Sequence, residues 1–172
     1  MSAPAYQGEH TAPMKDSGSP LYNVTGVYPK DFYSGKGFQY YADLGSEKNM
    51  DRSSYGTINS YLGMPDRPIT VYRAVPKDPD IKGINKGDWV TINRDYAKEH
   101  GQGALNGDYK ILKKQVYARD LFTAGDSHHE WGYDPQPASG LKREDKAAMR
   151  KDVRGYEKGG SVEDRALMLV SR

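Results

Sequence analysis

The run HHEWGYDP, His128 to Pro135, packs two imidazoles, two carboxylates and two large aromatics into eight residues. A metal site is one chemistry such a set could support, drawing on His128, His129, Glu130 and Asp134. Adjacent residues on a strand point to opposite faces, however. No HExxH spacing occurs and no cysteine offers a thiolate, so no metal is expected. An aromatic-rich turn with an exposed or ion-paired Glu130 is the plain structural alternative. A catalytic carboxylate is the sharper reading. Glu130 lies between His129 and Trp131 after the loop TAGDSHH, and a partly desolvated carboxylate stabilises a developing cation or holds a hydroxyl. Imidazole titrates near neutral pH, so His128 or His129 could serve as a base.

Two further residues bear on this choice. Arg73 sits in the middle of the apolar run VYRAV. A charge there must face a cleft, a partner or water, because burying it alone costs several kcal/mol. An arginine fork matches phosphate oxygens. Thr91, in GDWVTIN, places a hydroxyl on the next strand-like segment.

The elements that must position these groups are short. PITVYRAVP (68–76) alternates and is bounded by prolines, so it reads as a strand. DWVTINRDYAKEHG begins as a strand over Trp89 to Ile92, then turns helical, with Asn93 as N-cap and Gly101 as stop. One or two strands are expected over residues 108–122, after an Asn106-Gly107 tight turn. A helix is expected over Ser53 to Leu62, and ALMLV reads as the apolar part of a helix capped by Ser161, with Asp164 three residues on. Residues 20–41 are aromatic and punctuated by Gly and Pro, and read as loop and short helix over a core. Residues 1–19 read as a flexible arm, 20–140 as the domain and 141–172 as a charged helical tail.

With 172 residues this is about one domain. Only 36% of residues are hydrophobic and the mean hydropathy is −0.88, so the core must be modest. The 14 tyrosines suit half-wet clefts. A net charge of +2 is too mild to indicate nucleic acid. No disulfide framework is possible. No apolar run approaches the roughly 20 residues that span a bilayer, and no signal-peptide pattern opens the chain, so a cytosolic location without a membrane partner is expected. The fold class expected is α+β with a mostly antiparallel sheet.

Three stretches, VYRAVP, KGDWVTINRDYAKEHG and VYARDLFTAGDSHHEWGYDP, carry a resemblance. The order Arg, then a strand hydroxyl, then Glu resembles the toxin-like branch of the ADP-ribosyltransferase fold, of the kind carried in phage proteins. The leader PLYNVTGVYPKDFYS is similar to the leaders of such domains, and the likeness spans roughly residues 20–135. It implies a split β-core holding NAD as substrate. Arg73 would bind the phosphate or ribose region, with Tyr72 beside it. Thr91 would brace the cleft and orient the carboxylate. Glu130 would hold the nicotinamide ribose 2′-hydroxyl and stabilise the oxocarbenium-like state. Tyr96 would stack on the nicotinamide. Trp131 reads as core or cleft wall, with contact to the cofactor the other reading. Asp126, His128 and His129 would lie on the acceptor loop. The chain departs from the family at His128, where arginine-modifying members carry Glu or Gln, and at Thr91, to which a Ser-Thr-Ser run is reduced.

The function expected from this resemblance is mono-ADP-ribosyl transfer from NAD to a macromolecule, a host protein acceptor. The setting would be a bacterial host cytoplasm or a virion. An NAD glycohydrolase using water as acceptor is one alternative. A non-catalytic phage structural or inhibitory protein on the same fold is the other. The arm and tail would then contact other phage proteins.

Overall fold

Apolar alternation over short runs, broken by Gly and Pro, favours a sheet of short strands over long helices. The computed structural model describes residues 11–42 and 48–155. In chain order the elements are β1 (Ser19–Pro20), α1 (Gly35–Ala42), α2 (Lys48–Ser60), β2 (Pro68–Pro76), β3 (Trp89–Thr91), α3 (Arg94–Gly103), β4 (Tyr109–Tyr117), β5 (Leu121–Thr123), β6 (Glu130–Tyr133) and α4 (Arg143–Gly155). Three short 3-10 turns, Val24–Gly26, Lys30–Tyr33 and Ala118–Asp120, complete the set. The protein is α+β. Its six strands form one antiparallel sheet in the order β1-β5-β6-β3-β2-β4.

The split core expected from the resemblance is, among the described residues, a single continuous sheet. It narrows sharply at one seam. β2 and β4 pair continuously from Pro68↔Tyr117 to Pro76↔Tyr109, whereas β2 and β3 share only Tyr72↔Thr91.

Val71 of β2, Val90 of β3 and Trp131 of β6 join Leu21, Phe32, Ile58 and Leu62 in the main core. Tyrosines supply much of its volume. The Phe32 ring lies 4.9 Å from Tyr28, 4.9 Å from Tyr41 and 5.1 Å from Tyr55, centroid to centroid. Their polar tips are satisfied, as burial demands. Tyr55 donates to the Phe32 carbonyl at 2.5 Å, and the Tyr33 hydroxyl accepts from the Val24 N–H at 3.0 Å.

Both ends of the described chain differ from expectation. Residues 11–19, expected within a flexible arm, lie against the sheet. Ala12 and Pro13 are buried, Lys15 N–H donates to Asp134 Oδ2 at 3.1 Å, and Ser19 pairs with Thr123 in β1. The Pro13 backbone passes so close over Gly132 that a Cβ there would sit 1.7 Å from the Pro13 carbonyl oxygen. Residues 1–10 lie outside the described residues. The charged tail begins as α4, which docks on the domain. Val153 joins the core, and Lys146 Nζ reaches Asp66 Oδ2 at 3.2 Å. The expected helix around ALMLV, with Ser161 and Asp164, lies outside the described residues. Helix α3 runs past Gly101 to Gly103, because Gly101 is where the helix meets the Tyr109 ring rather than where it stops. Asn106 and Gly107, both at positive φ (54° and 77°), turn the chain from α3 into β4.

Asp66 ties three segments together. It accepts from the Ser139 hydroxyl at 2.5 Å, from Ser139 N–H at 2.9 Å and from Arg119 Nη1 at 2.8 Å. Burial opposes its ionisation, but the Ser139 and Lys146 contacts outweigh burial and hold the carboxyl far below the usual carboxylate range. A carboxyl lowered in the folded state stabilises above its unfolded value of about 3.9, and that contribution fades as pH falls toward the folded value. Asp66→Asn is therefore expected to lower stability by about 1.5–3 kcal/mol at pH 7. The gap from wild type should stay flat above about pH 5 and close below about pH 4, as read by urea unfolding across pH. Gly132→Ala is expected to displace the 11–17 segment, lowering stability by about 1–3 kcal/mol and exposing a new cleavage site near Lys15 in limited proteolysis.

Candidate functional site

Strand β3 and the helix after it set the site. Asn93 caps α3, its Oδ1 accepting from the N–H groups of Asp95 and Tyr96 at 3.0 and 3.4 Å. The Asn93 N–H donates to Thr91 Oγ1 at 3.1 Å. Thr91 therefore sits two residues before the cap and Tyr96 in the first helical turn, so one local motif fixes both.

The sheet register brings in the rest. Thr91 is opposite Tyr72 on β2 and opposite Glu130 on β6. Directly opposed residues of antiparallel strands share a face, so Tyr72, Thr91 and Glu130 form one row across three strands. Val90 and Trp131 oppose each other on the other face, in the core.

A cavity of about 680 Å³ borders this row, within the range of small-molecule sites. Tyr72, Thr91, Tyr96 and Glu130 line it, with Trp89 and Ala97 between them. Thr11, Pro13, Ser17, Ala124 and Asp126 also line it. Glu130 Oε1 accepts a hydrogen bond from the Tyr96 hydroxyl at 2.8 Å. Arg73 also borders the cavity, but it shares the buried parity of β2 with Ile69, Val71 and Val75 and is only 8% exposed. Its Nη1 donates to the Trp89 carbonyl at 2.5 Å, clamping β2 to β3 beside their single paired position.

Six of the residues singled out from the sequence thus meet at the cavity: Arg73, Tyr72, Thr91, Tyr96, Asp126 and Glu130. Three do not. Trp131, expected as core wall or against the cofactor, takes the first place: it is fully buried in the core, and its indole N–H donates to the His128 carbonyl at 3.1 Å. Its strand parity decides this, since it neighbours Glu130 and must face the other way. His128 and His129, expected on an acceptor loop, turn inward toward α2.

The two histidines stand in a bend before β6, not on a strand, so their rings converge to 4.3 Å. His129 Nε2 lies 2.9 Å from Asp51 Oδ1, and its Nδ1 lies 2.7 Å from Ser54 Oγ. Ser54 Oγ also accepts from Asn93 Nδ2 at 3.4 Å. His128 Nε2 stands 3.4 Å from the same Asp51 oxygen without a hydrogen bond of sound geometry. Burial, then the neighbouring His129, pushes the His128 imidazole down to about 4 against the opposing pull of Asp51. His129 stacks on Tyr96 at 4.9 Å with 23° between the planes. A chain of contacts therefore runs from Asp51 through His129 and Tyr96 to Glu130.

Asp51 and Ser54 were not singled out from the sequence. Their i, i+3 spacing on α2 places them on one face, but nothing in MDRSSYGT says which element that face meets. Among the described residues no helix is long and apolar enough to cross a membrane. Asn93→Ala removes the cap of α3 and is expected to lower stability by about 1–2 kcal/mol, measured by denaturant unfolding. Models of known protein families, curated proteins and solved structures, compared with this chain, give no match.

Proposed function

We propose that the protein is a mono-ADP-ribosyltransferase that transfers ADP-ribose from NAD to a macromolecular acceptor. One observation carries the reading: Thr91 and Glu130 stand directly opposite each other in a cavity of about 680 Å³, with the Glu130 carboxylate held by Tyr96. The order Arg73, Thr91, Glu130 thereby becomes a spatial cluster across β2, β3 and β6.

The chemistry follows from charge. Nicotinamide leaves C1′ of the ribose with the pair of electrons of the glycosidic bond, and positive charge spreads over C1′ and the ring oxygen. The acceptor then attacks C1′ and releases a proton. A carboxylate fixed near C1′ stabilises this state without having to reorganise, which is worth several kcal/mol in a site that excludes water. Glu130 fills this role by accepting from the ribose 2′-hydroxyl. Tyr96 donates to one carboxylate oxygen and leaves the other for the sugar. Thr91 braces the carboxylate from the neighbouring strand. Tyr72 supplies a wall for the nucleotide, and Arg73 supplies fixed positive charge beside the diphosphate. In this reading the acceptor is a host protein, and the chain acts in a bacterial host cytoplasm or is carried in a virion.

A second reading has a specific observation in its favour. The position two residues before Glu130 is His128, which turns away from the cavity toward Asp51. That position then lacks the carboxyl or amide that arginine-modifying members carry there, which suits water as acceptor and NAD glycohydrolysis.

Incubation with NAD labelled in the adenylate moiety and a bacterial lysate separates the two. Transfer puts label on protein, and hydrolysis leaves free ADP-ribose. Glu130→Gln is expected to reduce nicotinamide release by about 10²–10³-fold with an unchanged thermal midpoint. Wild-type protein that releases no nicotinamide under any of these conditions would overturn both enzyme readings in favour of a binding role.

A further inference from the structure

Asp51, His128 and His129 converge at a place that is not among the residues lining the cavity, joined to it by the stack of His129 on Tyr96. Each offers one ligand atom, and the three atoms lie within 4.8 Å of one another. Asp51 Oδ1 is 2.9 Å from His129 Nε2 and 3.4 Å from His128 Nε2. Metal bonds of about 2.0–2.1 Å in tetrahedral geometry place ligand atoms about 3.3 Å apart; the two separations from Asp51 bracket that spacing, and all three atoms lie within 4.8 Å.

A hydrogen-bonded triad accounts for only part of this arrangement. Asp51 Oδ1 faces two imidazole nitrogens but bonds one of them. His128 Nε2 is buried and meets only the Asp51 oxygen, at 3.4 Å and off good hydrogen-bond geometry, in a site that holds a carboxylate and is built from two separate elements. A buried nitrogen so poorly partnered is unfavourable, and a bound cation removes that penalty. The surroundings fit as well. Metal-bound histidines use their other ring nitrogen on a polar partner that fixes the ring, and His129 Nδ1 does so with Ser54 Oγ at 2.7 Å.

We propose that Asp51, His128 and His129 form a binding site for a first-row divalent cation of the zinc, cobalt or nickel class. Two imidazoles and one carboxylate select such ions over calcium or magnesium, which prefer all-oxygen sites. The cation clips α2 to the bend that leads into β6. This site is separate from the cleft and requires no ADP-ribosyl transfer. Its effect on the cleft is positional, through the stack of His129 on Tyr96.

The test is titration of the full chain, stripped with a chelator, with Co²⁺ as spectroscopic probe and Zn²⁺ as competitor. One equivalent of Co²⁺ is expected to bind, with visible d–d bands, and Zn²⁺ should displace it and raise the thermal midpoint. Asp51→Asn and His128→Gln, each checked by circular dichroism for a native spectrum, should both weaken Co²⁺ binding at least tenfold. Absence of saturable binding at one equivalent overturns the site. So does binding that survives either substitution unchanged. Because the readout is metal occupancy, neither result depends on whether the cleft turns over NAD.

Discussion

One short strand carries the arrangement. β3 is three residues long, and its last residue, Thr91, is at once the partner of Tyr72 and of Glu130. Without that double pairing, the β2–β4 ribbon and the β1-β5-β6 side of the sheet would have no shared edge. The seam is narrow, with a single residue pair between β2 and β3, and it is reinforced from beneath by Arg73 holding the Trp89 carbonyl. A strand this short has little pairing energy of its own. Asn93, immediately beyond it, anchors it instead by capping α3 and by donating its own N–H to Thr91. The residues nearest the cavity thus belong to the part of the sheet where pairing is thinnest. That opens a cleft on the same face as the row Tyr72, Thr91, Glu130.

The core and the cleft divide the strands by parity. On β6, Glu130 faces the cavity while Trp131 fills the core, and Gly132 returns to the cavity face, where Pro13 lies directly on it. On β2, Tyr72 takes the cavity side while Arg73 goes to the buried side. Burying an arginine is tolerable only with a fixed acceptor, and the Trp89 carbonyl provides one. Arg73 is therefore a structural clamp whatever else it touches. It borders the cavity although it lies on the buried parity of β2.

Much of this was legible in the sequence because short-range rules govern it. The alternation of PITVYRAVP, the Asn93 cap and the Asn106-Gly107 turn depend on neighbours only, and each is where pattern and stereochemistry place it. The antiparallel α+β class followed from the same signals. The Arg, Thr, Glu order located three residues that meet at one cavity, and Tyr96 joined them because the cap fixes the first turn of α3. What escaped depends on long-range pairing. Trp131 read as core or cleft wall, with cofactor contact the other reading, and parity decides for the core because adjacent strand residues face opposite ways. The histidines looked divergent under the assumption of a strand, yet they occupy a bend. Asp51 lies on a helix whose partner only the fold decides. Residues 11–19 read as an arm because their composition is polar, and they are held by backbone contacts that composition does not report.

The position of Glu130 is consequently set from two directions. Along the sheet, register with Thr91 fixes its backbone. Across the sheet, the Tyr96 hydroxyl fixes its carboxylate, and Tyr96 is itself seated against His129, which is held by Asp51 and Ser54 of α2. A carboxylate aimed by one hydrogen bond from a single tyrosine could still swing about its side-chain torsions. Seating that tyrosine on a ring bonded through both nitrogens removes most of this freedom, since moving Tyr96 would break the stack on His129. Under the proposed reading, electrostatic stabilisation of a short-lived cation depends on charge already in place before the bond breaks. The polar contacts beyond the cleft lining are therefore what turn an ordinary strand-end glutamate into a fixed one, and they link its geometry to a helix that never touches the cavity.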